Sequence, residues 1–291
     1  MATQKIHFFT GKGGVGKSTL AAGFAYEIAR NSAASNILLT ELSERPFYQD
    51  FLQVPTQGYT PVRIEKLSKN LALSLWSPQE CLREYALHLL KIESLYKLFF
   101  ENPVSRSLIQ VAPGLQELAI LGKVTSSARQ HGPAMNFDQI VIDAYSTGHF
   151  LSLLRAPKAM SEVIQFGPMG EQSKSIDRWI RNPDFCQIHL VCLPELFPVT
   201  ETIELYQQLV QEFGLVPKVY LNKYLDLNIS DLQDLSESTQ NYFKNTIQIQ
   251  NESVDLLKQS HVRFQKMKLQ PTLDSLQLVD EISSQLESGV V

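Results

Sequence analysis

The chain alternates short apolar runs with longer stretches in which apolar residues recur at helical spacing. Short runs bounded by turn residues indicate strands, whereas recurrence every three to four residues indicates amphipathic helices. The predicted strands lie at about 5–10, 36–41, 71–76, 138–143, 187–193 and 217–222, with a last one at 246–250. The predicted helices lie at about 17–31, 78–100, 114–130, 148–155, 199–213, 230–244, 252–260 and 273–287.

Strands that alternate with helices predict an α/β fold, a doubly wound, mostly parallel sheet with helices on both faces. With 291 residues and 44% hydrophobic content the chain can bury a sizeable core, and we predict one domain over residues 1–291. A helical extension is expected at about 77–132. It holds an apolar cluster that is typical of a core, with a partner-binding face as the alternative. The cluster consists of Leu87, Leu89, Leu90, Leu95, Tyr96, Leu98, Phe99 and Phe100.

The segment TGKGGVGKST, residues 10–19, links the first predicted strand to the first predicted helix. It matches GxxxxGK[ST], the phosphate-binding loop pattern, in the strand-to-helix context that this pattern requires. Glycines let successive backbone N–H groups face one anion, and the positive end of the helix dipole adds to the attraction. Lys17 would reach the β- and γ-phosphates, and the Ser18 hydroxyl would ligate Mg²⁺; a glycine-rich turn without a ligand is the alternative. The residues predicted to bind ATP here are Gly11, Gly13, Gly14, Val15, Gly16, Lys17, Ser18 and Thr19.

Lys12 is a second lysine in this loop, and an ordinary phosphate-binding loop needs only Lys17. With both lysines the loop reads GKGGVGK and resembles the deviant-Walker family of ATPases. In that family the first lysine reaches across a dimer interface to the nucleotide of the other subunit. The resemblance therefore implies a homodimer, or a heterodimer with a related ATPase, in which Lys12 acts at the partner's site. A solvated side chain is the alternative.

Residues 138–155 suggest a branch of that family. Asp143 follows the apolar run 140–142, at the carboxyl end of a predicted strand, where open α/β sheets bind ligands. A carboxylate there can hold a Mg²⁺-bound water, so Asp143 is the second predicted metal-site residue beside Ser18; a helix N-cap is the alternative. The segment from Asp143 to His149, DAYSTGH, resembles switch II of the arsenite-efflux and tail-anchored-protein-targeting ATPases.

Three further segments resemble elements of this branch. Residues 113–118, PGLQEL, resemble a Pro-Gly element that precedes switch II. Pro194 and Glu195 resemble part of the loop that contacts the nucleotide base. Asn222 and Lys223 stand where the family reads adenine, and an Asn side chain offers the donor and acceptor that adenine requires.

The segment after the second predicted strand departs from the family pattern. The family has Asp-Pro-Ala-His in this switch I, with the aspartate positioning the attacking water, and ungapped register places Ser43 at that aspartate. Serine is a poor substitute for a carboxylate, so hydrolysis is expected to be slow or absent, whereas nucleotide binding is unaffected. Glu41 and Glu44 lie close enough to serve instead, with a solvated acidic loop as the alternative. The predicted catalytic residues are Lys12, Lys17, Glu44 and Asp143.

Cysteine spacing and chain length argue against one activity of this branch. Cys81, Cys186 and Cys192 occur singly, so the intersubunit zinc site of the tail-anchored branch is not expected. The interval between His149 and the next predicted strand is also too short for the methionine-rich helical insert that shelters a membrane helix in that branch. A carrier of tail-anchored proteins is therefore the less favoured function.

Charge and hydropathy limit the kinds of partner that we expect for this chain. The formal net charge of −4 gives no basic surface for nucleic acid, and no apolar run approaches the roughly 18 residues of a membrane span. The first apolar run is a strand rather than a secretory signal, and few, unpaired cysteines fit a reducing compartment. We therefore expect a cytoplasmic protein that neither binds nucleic acid nor inserts into a membrane.

Three functions remain open. The first is a nucleotide-driven conformational switch or weak ATPase, dimeric through Lys12, that acts on an unknown protein or anion client. The second is a weakly or non-hydrolysing subunit that pairs with an active paralogue, which the altered switch I favours. The third is a positioning or partitioning ATPase on a DNA or membrane surface. The acidic residues of the predicted C-terminal helix disfavour it, because anionic lipid would repel them.

Overall fold

A central sheet organises the part of the chain that the computed structural model describes, residues 4–55, 59–90, 114–132, 135–227 and 232–288. Its strands are β1 Lys5–Thr10, β2 Ile37–Leu42, β3 Val62–Arg63, β4 Leu71–Trp76, β5 Gln139–Asp143, β6 Cys186–Cys192, β7 Lys218–Tyr224 and β8 Phe264–Lys268. Their order across the sheet is β3-β4-β2-β5-β1-β6-β7-β8. Neighbouring strands pair in parallel, except that β3 pairs antiparallel with β4. The predicted mostly parallel α/β sheet is therefore confirmed.

Helices cover both faces of this sheet. They are α1 Lys17–Asn31, α2 Phe47–Phe51, α3 Pro78–Leu90, α4 Leu115–Val124, α5 Ser126–Arg129, α6 Thr147–Val163, α7 Gly167–Ile180, α8 Leu196–Gln208, α9 Glu237–Gln259 and α10 Ser275–Ser288. The α8 helix continues into a π-helical turn, Leu209–Phe213. One buried cluster joins the sheet to α1, α2 and α10, and a second joins it to α3, α4, α6, α7, α8 and α9. This two-sided cover is the doubly wound arrangement expected from the sequence.

Side-chain alternation along the central strands determines which side chains face α1. Leu39 of β2 and Val141 of β5 belong to the cluster on the α1 face, whereas Leu38 and Ile142 belong to the other. Because successive side chains of a strand point to opposite faces, residues two positions further along return to the α1 face. Glu41 and Asp143 therefore lie on that face, at the carboxyl ends of their strands.

The predicted strand at 246–250 is wrong, because these residues lie inside α9, and the helices predicted at 230–244 and 252–260 are parts of this one helix. The alternation of Ile247 and Ile249 with glutamine imitates a strand. However, residues 237–259 contain no glycine or proline to end a helix, and the Ser236 side chain caps the start of α9 by accepting a hydrogen bond from the Thr239 N–H.

The hydrophobic pattern missed several elements, among them β8 and α7, and it ended α6 too early. Strand β8 lies at the edge of the sheet with Met267 as its one buried residue, so it carries little apolar signal. Helix α7 buries small and polar residues beside Ile176 and Ile180, which obscures its periodicity. Helix α6 was predicted to end at 155, but it runs through Pro157 and continues to Val163.

The helix predicted at 78–100 is confirmed over Pro78–Leu90. The rest of that prediction, with Leu95, Tyr96, Leu98, Phe99 and Phe100 of the apolar cluster, lies outside the described residues, as does Pro113.

Candidate functional site

The carboxyl ends of three neighbouring strands meet at one edge of the sheet. Phe9 of β1 and Glu41 of β2 are both in register with Asp143 of β5. The glycine-rich loop begins directly after β1, and helix α1 begins at Lys17, on the face that carries Glu41 and Asp143. The fold thus brings the loop and the two carboxyl groups together at the edge where α/β sheets bind ligands.

Glycines permit the path of this loop. Gly14 and Gly16 have φ values of 81° and 91°, in the left-handed region that side chains rarely adopt. An added Cβ on Gly16 would lie 2.4 Å from the Asn222 side-chain nitrogen, and one on Gly11 would lie 2.1 Å from the main-chain oxygen of Val191. The loop is therefore packed closely onto the ends of β6 and β7.

Asn222 and Lys223 support the loop from β7. The Asn222 side-chain N–H donates to the main-chain oxygen of Val15 across 2.8 Å, and Asn222 is buried. The Lys223 ammonium donates to the main-chain oxygen of Gly14 across 3.5 Å. The residues predicted to read adenine thus contact the phosphate-binding loop in this structure.

Asp143 and Glu41 are both buried acids. Burial raises the pKa of Asp143, and a hydrogen bond with the Ser18 side chain and the charge of Lys17 oppose that rise. Burial also raises the pKa of Glu41 to about 7, opposed by the main-chain N–H groups of Phe47 and Tyr48. The negative charge of each group is thus costly in this setting, which favours a cation between them.

One oxygen of Glu41 lacks a partner. Its Oε2 accepts a hydrogen bond from the Phe47 N–H across 3.0 Å, whereas its Oε1 is buried with no hydrogen-bond partner among the described residues. Buried polar atoms in folded proteins nearly always have a partner, so this oxygen is available to a water molecule or a cation. The oxygen donors of Ser18, Asp143 and Glu41 are the type that Mg²⁺ prefers.

Tyr48 is a site residue that the sequence analysis missed. It is fully buried in α2, and its hydroxyl donates to the main-chain oxygen of Ser18 across 2.8 Å and lies 3.4 Å from Asp143 Oδ2. A tyrosine after a strand carries no motif. The sequence feature that could have pointed to Tyr48 was its position a few residues after Glu41, on the segment that stands in place of the family's switch I.

The other acid of that segment is placed differently. The Glu44 side chain is exposed. Ser43, which stands at the family's aspartate position, donates its hydroxyl to the main-chain oxygen of Arg45 and accepts from the Arg45 N–H. Ser43 therefore stabilises a local turn.

The second lysine of the loop contacts helix α8. The Lys12 ammonium lies 3.2 Å from the Glu201 carboxylate and 3.8 Å from the centroid of the Phe197 ring. The predicted base loop leads into the same helix, with Pro194 buried and Glu195 exposed at the N-cap of α8. Lys12 and this loop are thus brought together by α8.

The segment resembling switch II connects the site to α6. The Thr10 hydroxyl donates to the main-chain oxygen of Tyr145 across 2.6 Å, so the end of β1 is joined to this segment. Ser146, rather than Asp143, is the N-cap residue of α6, which leaves the Asp143 carboxylate directed to the site. His149 is exposed, with its ring 5.1 Å from that of Tyr145.

The cysteines lie apart from this site. Cys81, Cys186 and Cys192 are buried and free, and burial raises the pKa of each thiol to about 12. Among the described residues no three histidine, cysteine or acidic side chains are grouped to hold a metal ion. None of the described helices combines the length and apolarity that crossing a membrane requires.

Several known proteins are similar in sequence to this chain. ATPase BagA of Mycobacterium tuberculosis is 27% identical over 249 residues, 81% of this chain and 69% of the relative. A putative arsenical pump-driving ATPase of Aquifex aeolicus is 25% identical over 309 aligned positions, 91% of this chain and 97% of the relative. ATPase get3 of Schizosaccharomyces japonicus is 23% identical, with 69% of each chain covered.

The family comparison covers the part of the chain that holds the phosphate-binding loop, Glu41 and Asp143. The family model described as anion-transporting ATPase matches residues 4–168. This range runs from β1 through the glycine-rich loop, α1 and Asp143 to the end of α6. More than half of the chain is therefore matched, including β1, the glycine-rich loop, α1, β2 and β5, whereas β7 and α8 lie outside the match. The chain belongs to the anion-transporting ATPase family of P-loop, nucleotide-binding ATPases.

Proposed function

We propose that this protein is a dimeric Mg-ATP-binding ATPase that acts as a nucleotide-driven conformational switch on a protein or anion client. Backbone N–H groups of residues 11–16, the start of α1 and the Lys17 ammonium would hold the phosphates. The positive φ values of Gly14 and Gly16 support this role, because they are the conformations that turn backbone donors toward one anion.

Ser18 and Asp143 would hold the magnesium ion. Two observations support this assignment: the Ser18 side chain lies close enough to Asp143 to lower the pKa of that carboxyl, and burial raises the same pKa. When bound, the ion would neutralise the developing charge on the transferred phosphoryl group. The Oε1 of Glu41, which has no hydrogen-bond partner among the described residues, would extend the same set of oxygen donors.

Water orientation would fall to an acid of the segment after β2. Glu44 is the candidate from the sequence, but its side chain is exposed. Glu41 has the stronger structural support, because its carboxylate is buried and in register with Asp143. A carboxylate bound to the start of α2 would move together with that segment, so its contact with water would depend on the segment's position.

Dimerisation would place Lys12 at the partner's nucleotide. The pump-driving ATPase among its relatives supports an ATPase that works on another molecule, and the partial exposure of Lys12 leaves its ammonium available to a partner. ATP should favour the closed dimer more than ADP, because the γ-phosphate supplies the charge that Lys12 would contact.

The geometry of Lys17, Ser18 and Asp143 carries the proposal, and a binding titration tests it. Lys17→Ala should reduce affinity for a fluorescent ATP analogue with Mg²⁺ at least tenfold, because it removes the cation nearest the β- and γ-phosphates. Lys258→Ala, a change at an exposed lysine of α9, is the control and should leave affinity unchanged. Equal affinity of the Lys17→Ala protein and wild type would refute nucleotide binding at this loop.

A second candidate follows from Ser43. Because this position lacks a carboxylate, the chain could bind ATP with little hydrolysis and complete the site of an active paralogue through Lys12. A single-turnover assay on the isolated chain separates the two functions. Hydrolysis within one binding event supports the switch, whereas ATP that stays intact in a bound, dimerisation-competent protein supports the quiet subunit.

A further inference from the structure

Lys12 is held within its own chain by two residues of α8. Its ammonium makes an ion pair with Glu201 at 3.2 Å and lies over the Phe197 ring at 3.8 Å. Phe197 and Glu201 are four residues apart, so they share one face of the helix. The two contacts are different in kind, one a charge pair and the other a cation–π contact, and both direct Lys12 toward α8.

These contacts hold the Lys12 ammonium, which is the group that would bind the partner's nucleotide. The Lys12 side chain is 42% exposed and that of Glu201 is 33% exposed, although the Oε2 atom of Glu201 that faces Lys12 is itself buried. The Lys12 ammonium cannot contact Glu201 of its own chain and the phosphate of the partner's nucleotide at the same time. A Lys12 that contacts Glu201 in its own chain is therefore withdrawn from the opposite phosphate.

We propose that Phe197 and Glu201 form a cis latch on Lys12 that opposes closure of the nucleotide-bound dimer. This inference rests on the proposed function, in which Lys12 acts across the interface. The triphosphate of a second subunit carries more negative charge than one carboxylate and competes with Glu201 for the ammonium. The latch thus sets a threshold, so that Lys12 leaves α8 when a nucleotide-loaded partner is present.

Nucleotide bound in the chain's own site would also affect the latch, through the predicted base-contacting loop. Glu195 lies at the N-cap of α8, two residues before Phe197, and directly follows the predicted base-contacting Pro194. A shift of this loop on nucleotide binding would move the first turn of α8, which carries Phe197. Occupation of a chain's own site would in this way weaken the hold on its own Lys12.

The latch is adjustable because each contact is weak. A partly exposed ion pair and a cation–π contact together change an equilibrium by about 3- to 30-fold. Glu201→Gln removes only the ion-pair part of this hold, so it should tighten nucleotide-dependent association of the chain by about 2- to 5-fold. It should not create a dimer where no nucleotide is bound.

Sedimentation velocity with Mg²⁺ and a non-hydrolysable ATP analogue tests the latch on the full chain. Glu201→Gln should dimerise at a concentration about 2- to 5-fold lower than wild type. Glu204→Gln, which removes an exposed carboxylate one turn along the same helix, should match wild type. Equal association of Glu201→Gln and wild type, with Lys12→Ala weaker than both, overturns the latch and leaves the proposed function standing.

A double variant tests whether Glu201 acts through Lys12. On a Lys12→Ala background, Glu201→Gln should give no further gain in association. A gain as large as in the wild-type background would overturn the proposal, because Glu201 would then act on another contact.

A chemical measurement keeps the latch testable when no dimer forms. The Glu201 carboxylate and the Phe197 ring restrict access to the Lys12 amine, so Lys12 should react slowly with an acetylating reagent in nucleotide-free protein. Mass spectrometry should show several-fold faster acetylation of Lys12 in Glu201→Gln than in wild type, with Lys258 as the internal reference. Equal rates overturn the latch. A wild-type chain that binds ATP, shows the rate difference and stays monomeric would overturn the homodimer of the proposed function, and the cis contact would stand.

Discussion

The Tyr48 hydroxyl donates a hydrogen bond to the main-chain oxygen of Ser18 across 2.8 Å and lies 3.4 Å from Oδ2 of Asp143. One side chain therefore links the segment after β2 to the first turn of α1 and to the end of β5. Glu41 reinforces this link, because its carboxylate accepts the Phe47 N–H at the start of the same short helix. Movement of α2 is thus coupled to both predicted metal-site residues.

Tyr48→Phe should lower the free energy of unfolding by about 1 kcal/mol, because it removes one buried hydrogen bond and leaves the ring in place. It should also weaken Mg-ATP binding, since Ser18 and Asp143 lose a shared contact. Urea unfolding and nucleotide titration measure the two effects. Tyr242→Phe, at a 67% exposed position, is the control. A variant that matches this control in both measurements would contradict the coupling.

Asn222→Ala should destabilise the protein by about 1–3 kcal/mol, because the main-chain oxygen of Val15 loses its buried donor. The loop that carries Val15 also forms the phosphate site, so affinity for inorganic triphosphate should fall with affinity for ATP. Asn245→Ala, on an exposed part of α9, is the control. If Asn222 served only to read adenine, affinity for triphosphate would stay unchanged while that for ATP fell.

Glu41→Gln and Glu44→Gln separate the two candidates for water orientation. Glu41→Gln should slow single-turnover hydrolysis about 100-fold, within the range typical of a lost general base, and retain the fold because glutamine still accepts the Phe47 N–H. Glu44→Gln should stay near the wild-type rate, because its side chain is exposed. The affinity of the ATP complex for Mn²⁺, measured by electron paramagnetic resonance, gives a readout independent of turnover and should fall only for Glu41→Gln. The reverse order of the two variants would assign the role to Glu44.

The sequence predicted those parts of the site that depend on local chain geometry. A glycine-rich turn between a buried strand and a helix brings residues 11–18 together without long-range contacts, and Asp143 is placed by the carboxyl end of its strand. The contacts of Lys12 with Glu201, of Asn222 with Val15 and of Tyr48 with Ser18 join distant segments. Single-sequence patterns carry no information on such pairs, so these contacts had to be observed.

The same distinction applies to the fold. Central strands such as β1 and β5 are buried on both faces and therefore read as continuous apolar runs. Strand β8 pairs along one edge and is mostly polar, and α7 packs through small residues, so neither carries a clear period. The misassigned strand at 246–250 shows the opposite error, in which local alternation imitates a strand inside a long helix.

Buried histidines in the sheet predict how stability depends on pH. His7 Nδ1 lies 3.1 Å from His189 Nε2, and His189 Nδ1 lies 3.1 Å from the Tyr220 hydroxyl. Burial lowers the pKa of His7 from 6.5 to about 4, with smaller contributions from the charges of Lys218 and Lys5. Burial likewise lowers the pKa of His189 well below its ordinary value.

Stability from these groups is lost as the pH falls. Above pH 6.5 both histidines are neutral in the folded and unfolded states, so their ionisation makes no difference to stability. Below that pH the unfolded chain binds protons that the folded chain resists, down to the folded pKa of about 4 for His7. At pH 5 the loss from His7 alone is about 2 kcal/mol. Glu41, whose pKa is raised to about 7, acts in the opposite direction, so a variant comparison is needed to isolate the histidines.

Urea unfolding at pH 7 and pH 5 provides that comparison. The double variant His7→Gln/His189→Gln should be less stable than wild type at pH 7, because it loses a buried network. The deficit should shrink by about 2 kcal/mol or more at pH 5, since the variant has no histidine in the core to protonate on unfolding. His261→Gln changes an exposed histidine and should follow wild type at both values. A deficit that stays constant between pH 7 and pH 5 would mean that these histidines keep their ordinary protonation in the folded state, and burial would then be too weak to exclude a charge between β1 and β6.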